Sequence, residues 1–360
     1  MPDSTAGRGT AGSASPAERA AYLKRLSDHC QTYRGSDVRR GLFQLVSTLI
    51  LFFAAISVMF AAFHHGIYWL YALLMLPAAG LAVRLFIIQH DCGHGSFFAS
   101  RRANTATGRL LSVLTFIPYD VWRRAHNLHH AGSGNLDRRG AGDIDTLTVR
   151  EYRALSPRQQ RLYRMFRHPL FLLVLGPPLF ILFGLRLPPV QSVPFLNNYH
   201  PLPRREAWGS VMGLNISLAL VYGTIVALLG WKTGLLVYLP VVVTGFWIGV
   251  WLFFIQHQFE DAYWAHKDGW SYQEAALQGS SYYVLPRVLQ WFTGNIGFHH
   301  IHHLCPGIPN YRLEDCFNAD GELANCRRIT FREGLKSIRL ALWDEAAGRM
   351  IRFSDLRPAG

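Results

Sequence analysis

Histidines dominate the residues of this chain that could do chemistry. Of its 16 histidines, eight fall into three tight patterns, namely His90-x-x-x-His94, His126-x-x-His129-His130 and His299-x-x-His302-His303. Residues three and four apart on a helix project from one face with Cβ atoms about 5–6 Å apart, so each pattern can aim two or three imidazoles at one point. Imidazole is a ligand for zinc, copper, iron and nickel, and eight or nine such nitrogens are more than one ion accepts. The spacing therefore predicts a site for two metal ions.

Other common metal and redox sites are not indicated. The chain contains no E-x-x-H sequence, which argues against a carboxylate-rich di-iron bundle and against an H-E-x-x-H zinc protease. No pair of cysteines has a C-x-x-C spacing, so we expect reduced cytosolic thiols at Cys30, Cys92, Cys305, Cys316 and Cys326. The isolated histidines are interpreted as structural residues near the membrane interface: His64, His65, His168 and His200.

The composition favours a membrane protein. Half of the residues are hydrophobic and only 16% are charged, against about 25% in soluble globular domains. The net charge of +13 fits attraction to anionic lipid or positive loops retained in the cytoplasm. Nucleic-acid binding is not expected, because the basic residues flank apolar stretches and no recognition motif accompanies them.

Four apolar stretches are long enough to cross a hydrocarbon core of about 30 Å as helices. They form two predicted hairpins, 41–63 with 66–89 and 207–231 with 233–259. A fifth stretch, 170–185, is short and is broken by Gly176-Pro177-Pro178, so we interpret it as re-entrant or interfacial. A crossing there would separate the histidine clusters onto opposite sides of the bilayer.

Loop charges predict the orientation. Basic residues precede the first span and follow the second, whereas the hairpin turns carry almost no charge. Under the positive-inside rule, both termini and the metal site should be cytoplasmic, and we expect a bacterial inner-membrane protein. The basic residues concerned are Lys24, Arg25, Arg34, Arg39 and Arg40, and then Arg101, Arg102, Arg109, Arg123 and Arg124.

The three patterns also resemble a known family. His90 to His94, Trp122 to His130 and Asn295 to His303 are similar to the three histidine boxes of membrane fatty-acid desaturases, closest to the omega-6 acyl-lipid type. The likeness runs from about Gly41 to Leu356. It implies a mushroom-shaped helical protein in which a cytosolic cap holds two irons.

The resemblance also implies a ninth histidine ligand, between the fourth span and the third box. His257 is the matching position, and the other implied ligands are His90, His94, His126, His129, His130, His299, His302 and His303. His300 is an alternative to His299, although the spacing of the second box favours His299. Asp91 and Glu260 lie beside implied ligands, where a carboxylate could fix an imidazole tautomer or could simply be exposed.

An unactivated methylene group cannot be attacked by an ordinary acid or base, so the reaction requires an oxidant made from O2 at reduced iron. The hypothesis is an acyl-lipid desaturase that inserts a cis double bond. Its electrons would come from a separate protein, because no H-P-G-G motif of a fused cytochrome b5 domain is present. An acidic ferredoxin suits the basic face better than cytochrome b5 does. A related hydroxylase, ketolase or alkane oxygenase stays open, and a histidine-rich metal transporter is disfavoured because transport ligands belong near the bilayer midplane.

The sequence thus predicts an all-α integral membrane protein with four transmembrane helices in two hairpins, interfacial or re-entrant helices, and a cytosolic helical cap that holds a di-iron site. Residues 1–38 are expected to be a disordered cytosolic segment, 39–325 the membrane and cap domain, and 326–360 a cytosolic helical segment.

Overall fold

The computed structural model describes residues 15–140, 142–188 and 203–356, and within these ranges the chain is mostly helical. In chain order the α-helices are α1 (Pro16–Gln31), α2 (Val38–His64), α3 (Tyr68–His94), α4 (Arg101–Thr115), α5 (Tyr119–Gly132), α6 (Val149–Ala154), α7 (Pro157–Phe166), α8 (Gly176–Leu182), α9 (Arg204–Leu229), α10 (Trp231–His257), α11 (Tyr272–Gln278), α12 (Arg287–Phe292), α13 (His299–Leu304), α14 (Asn310–Ala319) and α15 (Phe331–Ser337).

Short strands lie among the shorter helices, and the part of the protein formed by α5–α7 and residues 258–356 is called the cap below. They are β1 (Leu147–Thr148), β2 (Tyr282–Tyr283), β3 (Arg328–Ile329), β4 (Leu340–Asp344) and β5 (Arg349–Arg352). One sheet has the order β1-β4-β5, in which β1 is parallel and β5 antiparallel to β4, with Leu147 opposite Leu342. The other sheet is the parallel pair β2 and β3, with Tyr282 opposite Arg328.

Four helices of the described ranges, α2, α3, α9 and α10, are long and apolar enough to cross a membrane. They coincide with the four predicted spans, and each extends beyond the predicted stretch at one end or both. Helix α3 is the most enclosed of the four, because half of its most apolar window is buried. It contacts α2, α4, α5 and α10, so it carries the first histidine pattern through the centre of the protein.

The fifth apolar stretch is irregular. It is π-helical over Leu170–Leu175, continues as α8 and ends in a 3₁₀ turn at Gly184–Arg186. The stretch Leu170–Arg186 is bent by 53° relative to α7, which fits either a broken span or a re-entrant loop. Pro177 and Pro178 lie in the first turn of α8, where a missing backbone N–H is tolerated. The re-entrant interpretation stays a prediction.

The prediction that residues 1–38 are disordered is wrong for residues 15–38, which the structure describes. Helix α1 begins directly after Ser15, which forms a capping box with Glu18, and it buries Leu23, Leu26 and Cys30 against the cap. Burial of the apolar face of α1 offsets the entropy lost when this segment becomes ordered. The prediction of disorder rested on composition alone. Residues 1–14 of the expected tail lie outside the described residues.

The prediction that residues 326–360 are a helical segment also needs a correction. Residues 326–356 contain the helix α15, but they also contain β3, β4 and β5, so the segment is not simply helical. Strand β4 is almost wholly buried between β1 and β5. Apolar and polar residues do not alternate along it, because both faces of the strand are covered. The domain boundaries at residues 38 and 325 stay predictions.

Gly108 on α4 is a point of close packing behind the first histidine pattern. A Cβ atom at this position would overlap the ring of Tyr119. The hydroxyl of Tyr119 donates a hydrogen bond of 2.8 Å to the carbonyl of Cys92, between His90 and His94. The absent side chain therefore allows Tyr119 to fix the end of α3.

We expect Gly108→Ala to destabilise the protein by about 1–3 kcal/mol, because the added methyl displaces a buried aromatic ring. Thermal unfolding in detergent measures the effect. Gly209→Ala on α9 is the matched control, since a Cβ atom there meets nothing within 4 Å and alanine favours the helix. Equal thermal stability of the two variants would contradict the packing argument.

Candidate metal centre

The predicted histidines converge into two buried groups. The five-histidine group and the three-histidine group each place one ring nitrogen per residue within 4.8 Å of all the others in that group. The five-histidine group comprises His90, His94, His126, His130 and His302, and the three-histidine group comprises His129, His257 and His303. His299 lies beside the second group, with its Nε2 atom 3.3 Å from Nε2 of His257.

Helix periodicity explains how two histidine patterns serve both groups. On α5, His126 and His130 are four residues apart and share a face, whereas His129 is rotated towards the other group. On α13, His299 and His303 share a face in the same way, with ring centroids 4.6 Å apart, and His302 turns to the five-histidine group. The two short helices therefore hold the groups side by side.

Long helices supply the remaining ligand candidates. His90 and His94 lie in the last turns of α3, and His257 is the last residue of α10. Both spans therefore end at the cap on the same side of the protein. Helices that share one metal site must end on the same side of the protein, as the predicted topology has them.

The tautomers of the three-histidine group favour a bound cation. Nδ1 of His257 donates to the carbonyl of Phe253 at 2.9 Å, and Nδ1 of His129 donates to the carboxylate of Asp143. Each ring then directs a lone pair from Nε2, yet these two Nε2 atoms are only 3.1 Å apart and each lies within 3.3 Å of Nε2 of His303. Adjacent nitrogens on a metal with bonds of about 2.1 Å lie about 3 Å apart. The residues present thus fit a metal ion.

The five-histidine group has the same character. Nε2 of His130 lies 3.1 Å from that of His126 and 3.0 Å from that of His302. Nε2 of His94 is buried and has no hydrogen-bond partner among the described residues. Unpaired buried nitrogens are costly unless something binds them, which a metal ion would do.

Burial keeps five of the clustered imidazoles outside the long helices neutral. It holds the pKa of His126, His130, His299, His302 and His303 well below the ordinary value of histidine, and repulsion from neighbouring imidazoles lowers the pKa further. A histidine must be neutral to bind a metal ion. These residues therefore need not lose a proton when a metal ion binds at neutral pH.

His299 and His300 have different surroundings. His299 faces His257 and His303, as described above. Nε2 of His300 instead lies 3.1 Å from the carbonyl of Leu323, and its ring lies near Tyr282 and Phe317. The geometry therefore favours His299 as the ligand candidate and places His300 behind it.

Carboxylates orient one ring in each group. Nδ1 of His90 donates to Asp91 at 3.1 Å, and Asp91 in turn accepts from the backbone and side-chain nitrogens of Asn310 at 2.6 and 2.8 Å. Asp143 has the same role for His129. Such partners fix the tautomer and direct Nε2 to the metal site.

Of the two alternatives left open for Glu260, the structure supports the exposed acid. Its side chain is exposed and pairs with Arg349 at 2.8 Å, because the chain turns away after α10 ends at His257. Sequence reasoning missed Asp143 instead. The residue is 14 positions beyond His129, on a loop with no periodic pattern, so an Asp-x-Asp pair after the second histidine pattern was the only signal available.

The isolated histidines that the structure describes lie apart from these groups. His64 and His65 are exposed where α2 ends, and His168 is exposed after α7. His200 lies outside the described residues. The structural interpretation of the first three agrees with their exposure.

A basic cleft of about 500 Å³ adjoins the five-histidine group at His94. Its walls include Arg101, Arg123 and Arg124, together with Asn104 and Asn127. No acidic residue lines it among the described residues. The cleft suits an anionic or acidic partner close to the metal site.

Comparisons with known proteins agree with this geometry. Residues 68–333 match the family model described as fatty acid desaturase. The chain is 39% identical over 334 residues to a fatty acid desaturase of Bacillus subtilis (strain 168), which covers 93% of this chain and 92% of that protein.

Two plant relatives are more distant. One is a temperature-sensitive sn-2 acyl-lipid omega-3 desaturase (ferredoxin), chloroplastic, of Arabidopsis thaliana, 29% identical over 65% of this chain and 53% of that protein. The other is an acyl-lipid omega-3 desaturase (cytochrome b5), endoplasmic reticulum, of the same plant, 27% identical over 75% of this chain and 68% of that protein.

We expect His299→Ala to lower the metal content of the purified protein, because it removes a nitrogen that faces the three-histidine group. His300→Ala should keep the metal, since that ring bonds to a backbone carbonyl outside both groups. Inductively coupled plasma mass spectrometry measures the content. The reverse pattern, with metal lost only from the His300 variant, would exchange the two assignments.

His257 was implied as a ligand only by the resemblance, and the geometry gives a sharper test. His257→Ala should lose metal from the three-histidine group, because that ring contacts all of its other members. His266→Ala is the control nine residues later, where the ring is half exposed and bonds to Asp137 and Glu345. Full metal content in the His257 variant would remove it from the ligand set.

Proposed function

Because the chain belongs to the fatty acid desaturase family, we propose that it uses O2, two iron ions and an external electron donor to introduce a cis double bond into the acyl chain of a membrane lipid. The observation that carries the proposal is the pair of buried imidazole groups whose Nε2 lone pairs converge. Neutral nitrogen ligands suit iron, and two groups suit two ions.

In this proposal the five-histidine group holds one iron, and the three-histidine group with His299 holds the other. The irons, when bound and reduced, would activate O2 so that two hydrogens are removed from neighbouring methylene carbons with release of water. The side chains of this protein hold the ligands in place. Asp91 orients His90, Asp143 orients His129, and the carbonyl of Phe253 orients His257.

Aromatic side chains support an apolar approach to the site. The ring of Trp122 stacks on His126 at a centroid distance of 4.6 Å, and Phe253 lies 5.2 Å from His129 and 4.7 Å from His257. Phe86 of the second span packs against Trp122 at 5.3 Å. These rings exclude water on the side of the spans, which is the side from which we propose that an acyl chain approaches.

The basic cleft at His94 supports an acidic electron donor. Three arginines near one iron site would attract a negatively charged protein and raise its association rate. We propose a ferredoxin, and cytochrome b5 is the second choice, since plant relatives are named for each of these donors. The arginine-rich side would face the cytoplasm of a bacterium whose inner membrane holds the four spans.

Heterologous expression tests the reaction directly. We expect the protein to produce unsaturated fatty acids in a desaturase-deficient host that supplies ferredoxin, as measured by gas chromatography. The same analysis gives the position of the double bond, for which the plant relatives are named omega-3 and the motifs resemble the omega-6 type. Hydroxylated or ketone products would replace the proposed reaction with another on the same site.

Variants of this experiment connect the product to the histidines. His129→Ala and His303→Ala should abolish the unsaturated product while the protein still inserts in the membrane, because each loses a buried nitrogen of the metal site. His64→Ala, at the opposite end of α2, should keep the activity. Normal product from the His129 or His303 variant would exclude that residue as a ligand.

A further inference from the structure

Arg167 is a buried cation close to the metal centre but outside it. It follows α7, is 2% exposed and is among the largest fully buried side chains of the described residues. Its Nη2 atom donates to Oε1 of Gln258 at 2.7 Å and to the carbonyl of Leu340 at 2.8 Å, and Nη1 donates to the carbonyl of Asp145 at 3.3 Å. A buried charge is costly to retain unless hydrogen-bond partners stabilise it. The need for these partners therefore keeps the three segments that supply them together.

Two of those segments carry members of the three-histidine group or their partners. Gln258 directly follows His257. Asp145 lies two residues after Asp143, whose carboxylate holds Nδ1 of His129. Arg167 therefore joins the side chain of the residue after one imidazole to the loop that orients another.

Tyr163 reinforces the same connection. Its ring is fully buried, and its hydroxyl lies 3.1 Å from the carbonyl of Asp145 and 2.9 Å from the carbonyl of Ala341. The hydroxyl also accepts from the backbone nitrogen of Leu147 at 3.0 Å. Tyr163 thus holds the backbone of the loop at residues 145 and 147.

The third segment is the C-terminal hairpin of β4 and β5. Leu340 and Ala341 of β4 supply the two carbonyls, and the backbone nitrogen of Met350 on β5 donates to the carbonyl of Glu260 at 2.8 Å. The hairpin therefore contacts the chain on both sides of the metal group, three residues after His257 and beside the loop of Asp143. It lies beyond residue 333, where the match to the family model ends.

We propose that Arg167, Tyr163 and this hairpin form a positioning network that aligns His129 and His257 for the second metal ion, an inference that rests on the proposed function. The bonds of Arg167 lead to Gln258 beside His257 and to the loop of Asp143, which orients His129, whereas His90 of the five-histidine group is oriented by Asp91 and Asn310. Loss of the network should therefore weaken one metal site and spare the other.

The experiment uses the full-length protein purified in detergent and loaded with ferrous iron under argon. We expect Arg167→Met to weaken iron binding at the three-histidine group, the second site, about 10- to 100-fold and to lower the iron content from two per chain to about one. Asp143→Ala should give the same result, since it removes the acceptor that holds Nδ1 of His129. The matched control is Arg161→Met, on the exposed side of α7.

Mössbauer spectra identify which iron is lost. The spectrum that remains in Arg167→Met should match that of His129→Ala, which damages the three-histidine group, and differ from that of His94→Ala. A purely structural role would instead lower protein yield and both irons together. Loss of both irons to the same extent would therefore overturn the proposal, as would two irons held with wild-type affinity.

A second variant covers the case in which Arg167→Met does not reach the membrane. Gln258→Leu removes only one of the partners of Arg167 and leaves the backbone carbonyls in place, and it should still weaken the second site selectively. Wild-type affinity at both sites in this variant would also overturn the network. Failure of the wild-type protein to bind iron would refute the proposed function itself, which distinguishes the two failures.

Discussion

The convergence of neutral imidazole nitrogens at one buried place is the interaction on which the rest of this structure depends. In the three-histidine group, three Nε2 atoms lie 3.0 to 3.3 Å apart, and two of the rings have their protons committed elsewhere. Lone pairs at that distance repel each other unless a cation lies between them. The surrounding fold must therefore hold the rings in place until a metal ion makes the arrangement favourable, and hydrogen bonds from behind the rings do so.

The lengths of the membrane helices follow from the same constraint. A helix of 27 residues, such as α3 or α10, is about 40 Å long, whereas the hydrocarbon core is about 30 Å thick. The last turns of both helices carry His90, His94 and His257. The helices are thus long enough to carry these ligand candidates beyond a hydrocarbon core, whereas transport ligands belong near the bilayer midplane.

The sequence was most informative where the interactions are local. Helical spacing selected the eight clustered histidines, and apolar length located the four spans. The division of the second and third boxes between the two groups was not predicted, because it requires the relative orientation of α5 and α13. Asp143 and Arg167 were missed for a related reason, since their partners are distant in sequence and no spacing rule connects them. The helix α1 was missed despite a readable signal, the capping box of Ser15 and Glu18, because the composition of the neighbouring residues suggested disorder.

The choice of neutral ligands has an electrostatic consequence for a site that must accept electrons. Two ferrous ions bring a total charge of about +4, and imidazole neutralises none of it. Asp91 and Asp143 accept hydrogen bonds from Nδ1 of His90 and His129, so their charges lie behind the rings and not among the ligand atoms. A ligand shell with net positive charge favours the reduced state more than a carboxylate shell does, because net charge and local hydrogen bonds set the reduction potential of iron sites. In the proposed function, the histidine boxes would thus favour the ferrous state from which O2 chemistry begins, and the arginines beside His94 would extend the same positive field to the surface where an electron donor arrives.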